Sequence, residues 1–428
     1  MSATEIATKL PQLRGAQLAL DIGSTVVKLA RLDGHGRLAS QDFFARDFEL
    51  GVSRQVLQIL EQAGIDPEVE PLLVCSSANG GLRVGIACLS PLFSGAALRN
   101  QVLLAGANPE FVHGFDHPQG DLRRVDVLLV GGGIDNDDPG PAAALLDAFE
   151  PSRYRFDALV YCGNRHLASA FVARFAQAKV IDNPLGETLS SKVGSVFETI
   201  RRAYLDDLIF KEGVSELPRA LARSIRPTPE VASRGFLRSV NNQGTFTVVG
   251  TCLALDIGGA TTDLHYTVEC IKEDSPVRPS SGVSVARYVF TDLGIVASRD
   301  TLLLQLRSHA QLYELLGTVL DGVQTREVYA SLREGDYQPS PQMLSYACLF
   351  LALDRFAKGR GPGLPTGDLG KLAQVILTGG AAQTLDEAVV ARIIALLLPS
   401  GVRSPLVQVD RRYEIWIAGI TWTDDLAR

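Results

Sequence analysis

The run LALDIG occurs twice, from Leu18 to Gly23 and again from Leu253 to Gly258. In both places small or hydroxyl-bearing residues follow it, and then a second β-rich run: VVKLARLD in the first copy, TTDLHYTVE in the second. Each copy therefore predicts an apolar strand, a tight Asp-x-Gly turn and a returning strand. One supersecondary element written twice at long range predicts two related halves rather than a single core. At 428 residues the chain is also too long for one ordinary core, and roughly three modules are expected.

A strand that ends in aspartate and turns on glycine brings backbone N–H groups together with no side chain in the way, a concavity suited to an anion. Gly23 serves the first turn, with Ser24 and Thr25 adding hydroxyl donors; Gly258 and Gly259 serve the second, with Thr261 and Thr262. Two such hairpins can hold the β- and γ-phosphates of a nucleotide. Magnesium prefers oxygen ligands and keeps several waters, so Asp21 and Asp256 are the candidates to hold it through its hydration shell. Seven positions after each aspartate stand Lys28 and Asp263. The lysine suits a phosphate as a point charge, and Asp263 suits the orientation of an attacking or metal-bound water. A lone Asp-x-Gly is ordinarily just a turn; two copies, followed by the strand QVILTGG with its paired Gly379 and Gly380, form a set. The two glycines would let the backbone approach an adenosine.

Composition narrows the partners. A net charge of −7 and a pI near 5.5 argue against nucleic acid or an anionic membrane surface, which call for dense Lys/Arg patches. No run approaches the ~18 apolar residues of a bilayer span, and no secretory h-region precedes the first strand. A cytoplasmic protein is expected. Six cysteines without a C-x-x-C pair signal neither zinc nor a disulfide framework and are expected as buried thiols.

Between the hairpins, VDVLLVGGG, PAAALLDAF, DALVYCG, LASAFVARFAQ and AKVIDN alternate strand and helix, the mark of a parallel α/β unit. The triple glycine at Gly131 to Gly133 lacks dinucleotide-loop spacing. From Thr188 apolar residues recur at helical spacing through Leu208, and Arg226 to Gly244 reads as a loop-rich connection. Beyond the second hairpin TLLLQLRSHAQLYELLGTVL and MLSYACLFLALDRFAKG are helical, and Thr384 with Glu387 suggests a capping box before the helix that follows. The expected modules are residues 15–110 with hairpin one, 111–187 as the inserted α/β unit, 188–248 as a helical connection, and 249–428 with hairpin two and the glycine turn.

This order of elements resembles the actin, hexokinase and Hsp70 superfamily of ATPases, which implies an α/β fold of two RNase-H-like lobes around a nucleotide cleft. Within it the chain resembles the MutL (GlmL) family associated with adenosylcobalamin-dependent glutamate mutase, unrelated to the mismatch-repair protein of that name. The resemblance is carried by DIGSTVVK, CSSANGGLR, LLVGGG, VYCGNRH, DIGGATTDLH and TDLGIVAS, spread in order over most of the chain. It departs where the family runs through a TDGGN-like loop and this sequence has IDNDDPG, residues 134–140.

The resemblance implies ATP or ADP with Mg²⁺ as cofactors and the subunits of a cobalamin-dependent mutase as partners. The implied activity is that of a chaperone-like ATPase that releases damaged cobalamin; a homo-oligomer is compatible with it. The CSSANGG loop would lie near the γ-phosphate, with Ser76, Ser77 and Asn79 as polar candidates. Asp263-Leu-His265 opens like a cobalamin-binding D-x-H-x-x-G motif, but its sixth residue is Val268, so His265 is read as structural. Competing readings are a small-metabolite kinase, an iron–sulfur dehydratase activator and a nucleotide-switched scaffold.

Overall fold

The computed structural model describes residues 18–422 except 24, 48, 78–81, 116–120, 136–138, 186–193, 212–216, 218–220, 222–224, 245–246, 278–283 and 362. Among the described residues three five-stranded sheets form. The chain writes β1 (Leu18–Ile22), β2 (Val26–Leu32), β3 (Leu38–Ala45) and β4 (Leu72–Ser76). A second sheet follows with β5 (Arg83–Cys88), β6 (Asn108–Gly114), β7 (Asp121–Gly131), β8 (Tyr154–Tyr161) and β9 (Lys179–Val180). Then come β10 (Ile225–Pro227) and the third sheet, β11 (Cys252–Ile257), β12 (Thr262–Thr267), β13 (Val285–Phe290), β14 (Gln374–Thr378) and β15 (Leu406–Val409).

The first and third sheets have the same design. Their orders are β3-β2-β1-β4-β10 and β13-β12-β11-β14-β15: an antiparallel meander of three strands, then two strands parallel to the first. The duplication reaches individual residues, since Leu18 pairs with Arg31 and Asp21 with Lys28 in one, Leu253 with Tyr266 and Asp256 with Asp263 in the other. Strands β1, β4 and β14 are buried along their whole length. A strand covered on both faces needs an unbroken apolar run, and that is why LALDI, LLVCS and QVILT do not alternate. The edge strand β3, LASQDFFA, is by contrast partly or fully exposed throughout. The second sheet is wholly parallel, in the order β6-β5-β7-β8-β9.

The chain divides into two compact units. One comprises Met1–Asn79, Leu205–Thr247 and Arg412–Arg428; the other, Gly80–Tyr204 and Val248–Arg411. The parallel sheet thus begins at Arg83 rather than near residue 111, because β5 lies between β6 and β7 in the sheet. At the other end, the helix Glu414–Ile420 sits in the unit of β1. There Trp416, Ile417 and Ile420 pack with Ala19, Ala30, Leu73 and Val231.

Two readings of the sequence are corrected. The segment expected as loop-rich holds a thirteen-residue helix, Thr228–Val240. Its proline lies in the first turn, where the missing N–H is not needed. Its glycine, Gly235, marks a contact rather than a break: a Cβ there would stand 1.8 Å from the carbonyl oxygen of Ile415, and a Cβ on Gly419 1.8 Å from that of Val231. The two helices cross with their backbones touching. The second correction concerns the helix Glu387–Leu397, which is capped by Asp386, whose side chain accepts from the N–H groups of Ala388 and Val389. Thr384 belongs to the preceding 3-10 turn, and Glu387 reaches the N–H of Val409.

The helix expected over MLSYACLFLALDRFAKG runs from Pro341 to Lys358 and lies in the core of the second unit. Ser340 caps its start, accepting from the Met343 N–H, and Gly359 ends it in the left-handed conformation at φ 61°. All six cysteines are buried, free thiols.

The reciprocal glycine contact yields a test. Gly235→Ala and Gly419→Ala should each destabilise the unit that contains β1 by about 3 kcal/mol or more, since a methyl group meets a fixed carbonyl rather than a flexible side chain. Chemical denaturation measures it; a loss below about 1 kcal/mol in both would mean that the helices part easily.

Candidate functional site

The two hairpins lie in different units and are built alike. The Gly23 N–H donates to the Val26 carbonyl at 3.0 Å, and the Gly258 N–H to the Thr261 carbonyl at 2.9 Å. Those two amides close the turns and do not face an anion. Among the described residues, the amides of Thr25, Gly259 and Ala260 take no part in closing the turns. A Cβ on Gly23 would lie 2.6 Å from the Val26 oxygen, so close approach, not a positive φ, requires glycine there. Ser24 lies outside the described residues, as does Asn79.

In hairpin one Asp21 is only 1% exposed and fully engaged. It accepts from the Lys28 ammonium at 2.7 Å, the Thr228 hydroxyl at 2.7 Å and the Cys75 thiol at 3.3 Å. Burial, and then the charge of Asp21, push the Cys75 thiol well above its ordinary pKa. Lys28 also lies 4.5 Å from the centre of the Tyr413 ring. The lysine expected to reach for phosphate is thus held in a buried pair within its own unit. Arg46, which nothing in the sequence pattern marks, braces the same turn: its guanidinium donates to the Gly23 carbonyl at 3.1 Å and its backbone N–H to that of Thr25 at 2.9 Å. Ser76 is buried, its hydroxyl turned to the Ile22 carbonyl.

Hairpin two carries its charges differently. Asp256 is half-buried. Beside it on the parallel strand stands Thr378, and the next residue, Gly379, has φ +88°. A Cβ on Gly379 would fall 2.2 Å from Asp256 Oδ1. The structure thus sets this glycine against the carboxylate, whereas Gly380, exposed and with φ −60°, has no such need of glycine. Asp263 is ion-paired: Arg287 Nε donates to its Oδ1 at 2.6 Å, and Arg287 Nη1 to the Leu103 carbonyl at 2.9 Å. The Thr261 hydroxyl faces the other oxygen of Asp263 at 3.5 Å. Thr262 turns inward, its buried hydroxyl donating to the Leu293 carbonyl at 2.7 Å. Of the two threonines, only Thr261 keeps its hydroxyl at the turn.

The TDLGIVAS segment proves to be the clamp on this turn. The N–H groups of Val296 and Ala297 donate to the Gly259 carbonyl at 2.7 and 2.9 Å, and the Ser298 hydroxyl to that of Ala260 at 2.7 Å. A Cβ on Gly294 would lie 2.3 Å from the Ala260 carbonyl. Asp292 anchors the clamp through two hydrogen bonds from Arg355, at 2.9 and 2.8 Å. Burial pushes its carboxyl up, but the Arg355 hydrogen bonds and charge outweigh that and hold it below the usual value.

His265 pairs across the strands with Arg287 and is 1% exposed. Burial, with the Arg287 charge, lowers its pKa to about 3. It is a neutral core imidazole. Among the described residues no group of three or more His, Cys, Asp or Glu gathers to hold a metal ion, and no helix is long and apolar enough to cross a membrane.

Two sheets of one order, each opening on the same acidic hairpin and joined in sequence by an inserted parallel α/β unit, define the actin-like ATPase fold. The profile of the family described as "MutL protein" matches residues 17–421, and the chain belongs to that family. It is 25% identical over 304 residues to Protein MutL of Clostridium tetanomorphum, a match that covers 67% of this chain and 66% of the relative, just under two thirds of its length.

Among solved structures, the activator of 2-hydroxyisocaproyl-CoA dehydratase from Clostridium difficile, with bound ADPNP, is 10% identical with a TM-score of 0.34. It covers 95% of this chain and 92% of its own. A ROK family glucokinase from Streptomyces griseus, in complex with glucose and AMPPNP, is 12% identical with a TM-score of 0.33, over 95% and 98%.

His265 gives a pH prediction. Its pKa is about 6.5 unfolded and about 3 folded, so between these values the unfolded chain binds a proton that the folded chain does not. Stability is full above pH 6.5 and falls as the pH drops through that window, by up to about 1.4 kcal/mol per unit. His265→Gln should flatten this acid limb in denaturation curves taken from pH 6.5 to 4; superimposable limbs would show that the imidazole titrates normally.

Proposed function

We propose that this chain hydrolyses ATP to drive a chaperone-like reactivation of an adenosylcobalamin-dependent mutase of the glutamate mutase type, promoting exchange of damaged cobalamin. The observation that carries the nucleotide part is the repeated hairpin: one turn, one register, one terminal aspartate, written twice. Membership of the MutL family supports the choice of client.

The donor sets fit a magnesium that retains its waters and takes its remaining oxygens from the nucleotide. Asp256 fits directly, being half-buried at a strand end with no side chain on Gly379 to block it. Bound there, the ion would neutralise phosphate charge. The Gly259 amide and the Thr261 hydroxyl would donate to phosphate oxygens, and Gly379 and Gly380 would admit the adenosine. Gly258 shapes the turn, and Thr262 ties it to the clamp. Asp263, fixed by Arg287, presents its second oxygen beside Thr261 as the group that orients the water.

In hairpin one, Gly23, Ser24 and Thr25 form the corresponding phosphate turn. Asp21 is too enclosed to act while Lys28 occupies it. A phosphate at this turn would compete for the lysine, and Asp21, so released, would be available to the hydration shell of a magnesium ion. The pair is then a switch set by nucleotide.

Two experiments test this reading. Asp256→Ala should cut Mg-dependent ATP turnover by at least about 10²-fold while leaving the circular-dichroism spectrum and melting curve nearly unchanged, because the residue is only half-buried and alanine fits its strand. Near-normal turnover in the folded variant would remove Asp256 from the mechanism. Wild-type turnover should yield free phosphate with no acceptor added, which a metabolite kinase would not do. The client is tested separately: the protein with ATP, added to glutamate mutase inactivated by turnover, should restore its activity, and no recovery would defeat the client assignment alone.

A further inference from the structure

The nucleotide reading leaves the parallel sheet without a task. In open parallel sheets ligands bind outside the carboxyl ends of the strands, above all where the strand order reverses, which in this sheet is between β5 and β7; crevices at other strand ends have the same exposed loops. Such a crevice is present at the ends of β7, β8 and β9, with a volume of about 430 Å³, within the range of small-molecule sites. Three segments close it: the one that follows LLVGGG, reaching Asp135; VYCGNRH, through Tyr161, Gly163 and Arg165; and VIDN, residues 180–183. Only the second is itself a block that carries the family resemblance; Asp135 lies just past LLVGGG, in the loop where this sequence departs from the family, and none of the three belongs to a phosphate hairpin.

The polar groups are held in place. Asp135 Oδ1 accepts from the backbone N–H of Arg165 at 2.9 Å and from the Asn183 amide at 3.2 Å. That amide also donates to the Gly133 carbonyl at 3.0 Å, so all three segments are tied together through Asp135 and Asn183. Asp182 stands exposed at the opening. Among the described residues no salt bridge joins either carboxylate to a cation. Val180 and Ile181 supply apolar wall beside them.

Ionised carboxylates only accept hydrogen bonds, so an occupant must bring the donors. We propose that this crevice binds a small organic molecule whose ammonium group or vicinal hydroxyls donate to Asp135 and Asp182 while its apolar body lies on Val180 and Ile181. The proposal rests on none of the nucleotide chemistry.

Saturation-transfer NMR on the full chain tests it, with n-butylammonium and methyl β-D-ribofuranoside as probes; neither carries phosphate or adenine, so neither addresses the hairpins. Transfer to the amine alone identifies the donor as ammonium, and transfer to the riboside alone as a diol. In Asp182→Arg and Asp135→Asn binding should weaken by about tenfold or more, with ATP turnover within twofold of wild type. Asp182 is exposed, so that variant should fold. No transfer to either probe at millimolar concentration, or transfer undiminished in both variants, would overturn the proposal.

Discussion

A carboxylate at the end of a strand paired on both sides is the constraint around which each half is organised. Such a strand is buried, and its last residue but one carries a charge that must be compensated or reach solvent. The two halves answer differently at the facing position of the hairpin. In one, Lys28 faces Asp21 and neutralises it. In the other, Asp263 faces Asp256, a like charge, and Arg287 from the third strand holds Asp263, leaving Asp256 half-buried beside Gly379. A single duplicated frame thus carries an acid–base pair in one copy and, in the other, two facing acids with an arginine behind one of them.

Glycine has a second role beyond turns. Gly294 lets the clamp lie on the hairpin backbone, Gly379 makes room for a carboxylate oxygen, and Gly235 with Gly419 lets two helices touch. Each position is fixed by what lies across from it, which ties the hairpins to elements far along the chain.

That explains what could and could not be read from the residues in order. The hairpins were legible because strand, turn and returning strand are local, and the parallel unit because strand and helix alternate over short spans. The helix Thr228–Val240 was not: its Pro229 and Gly235 look like breakers until the first turn and the facing helix are known. Nor could local pattern show that Lys28 is held by Asp21, that the Thr262 hydroxyl points inward, that Arg46 braces the first turn, or that TDLGIVAS clamps the second. Those facts depend on pairings across the fold, and the LALDIG runs alone carry none of them. The membership of β5 and of the last helix was hidden for the same reason, since sheet order and sequence order part company there.

The placement of the helix Glu414–Ile420 bears on how the chain is made. It packs on the strands at Leu18 and Leu72, which Val231 of the helix Thr228–Val240 also covers, so that hydrophobic layer is completed only when nearly four hundred residues beyond Leu18 have left the ribosome and most of the other unit has been made. Of the two units, the one that holds β1 is accordingly the later to be closed.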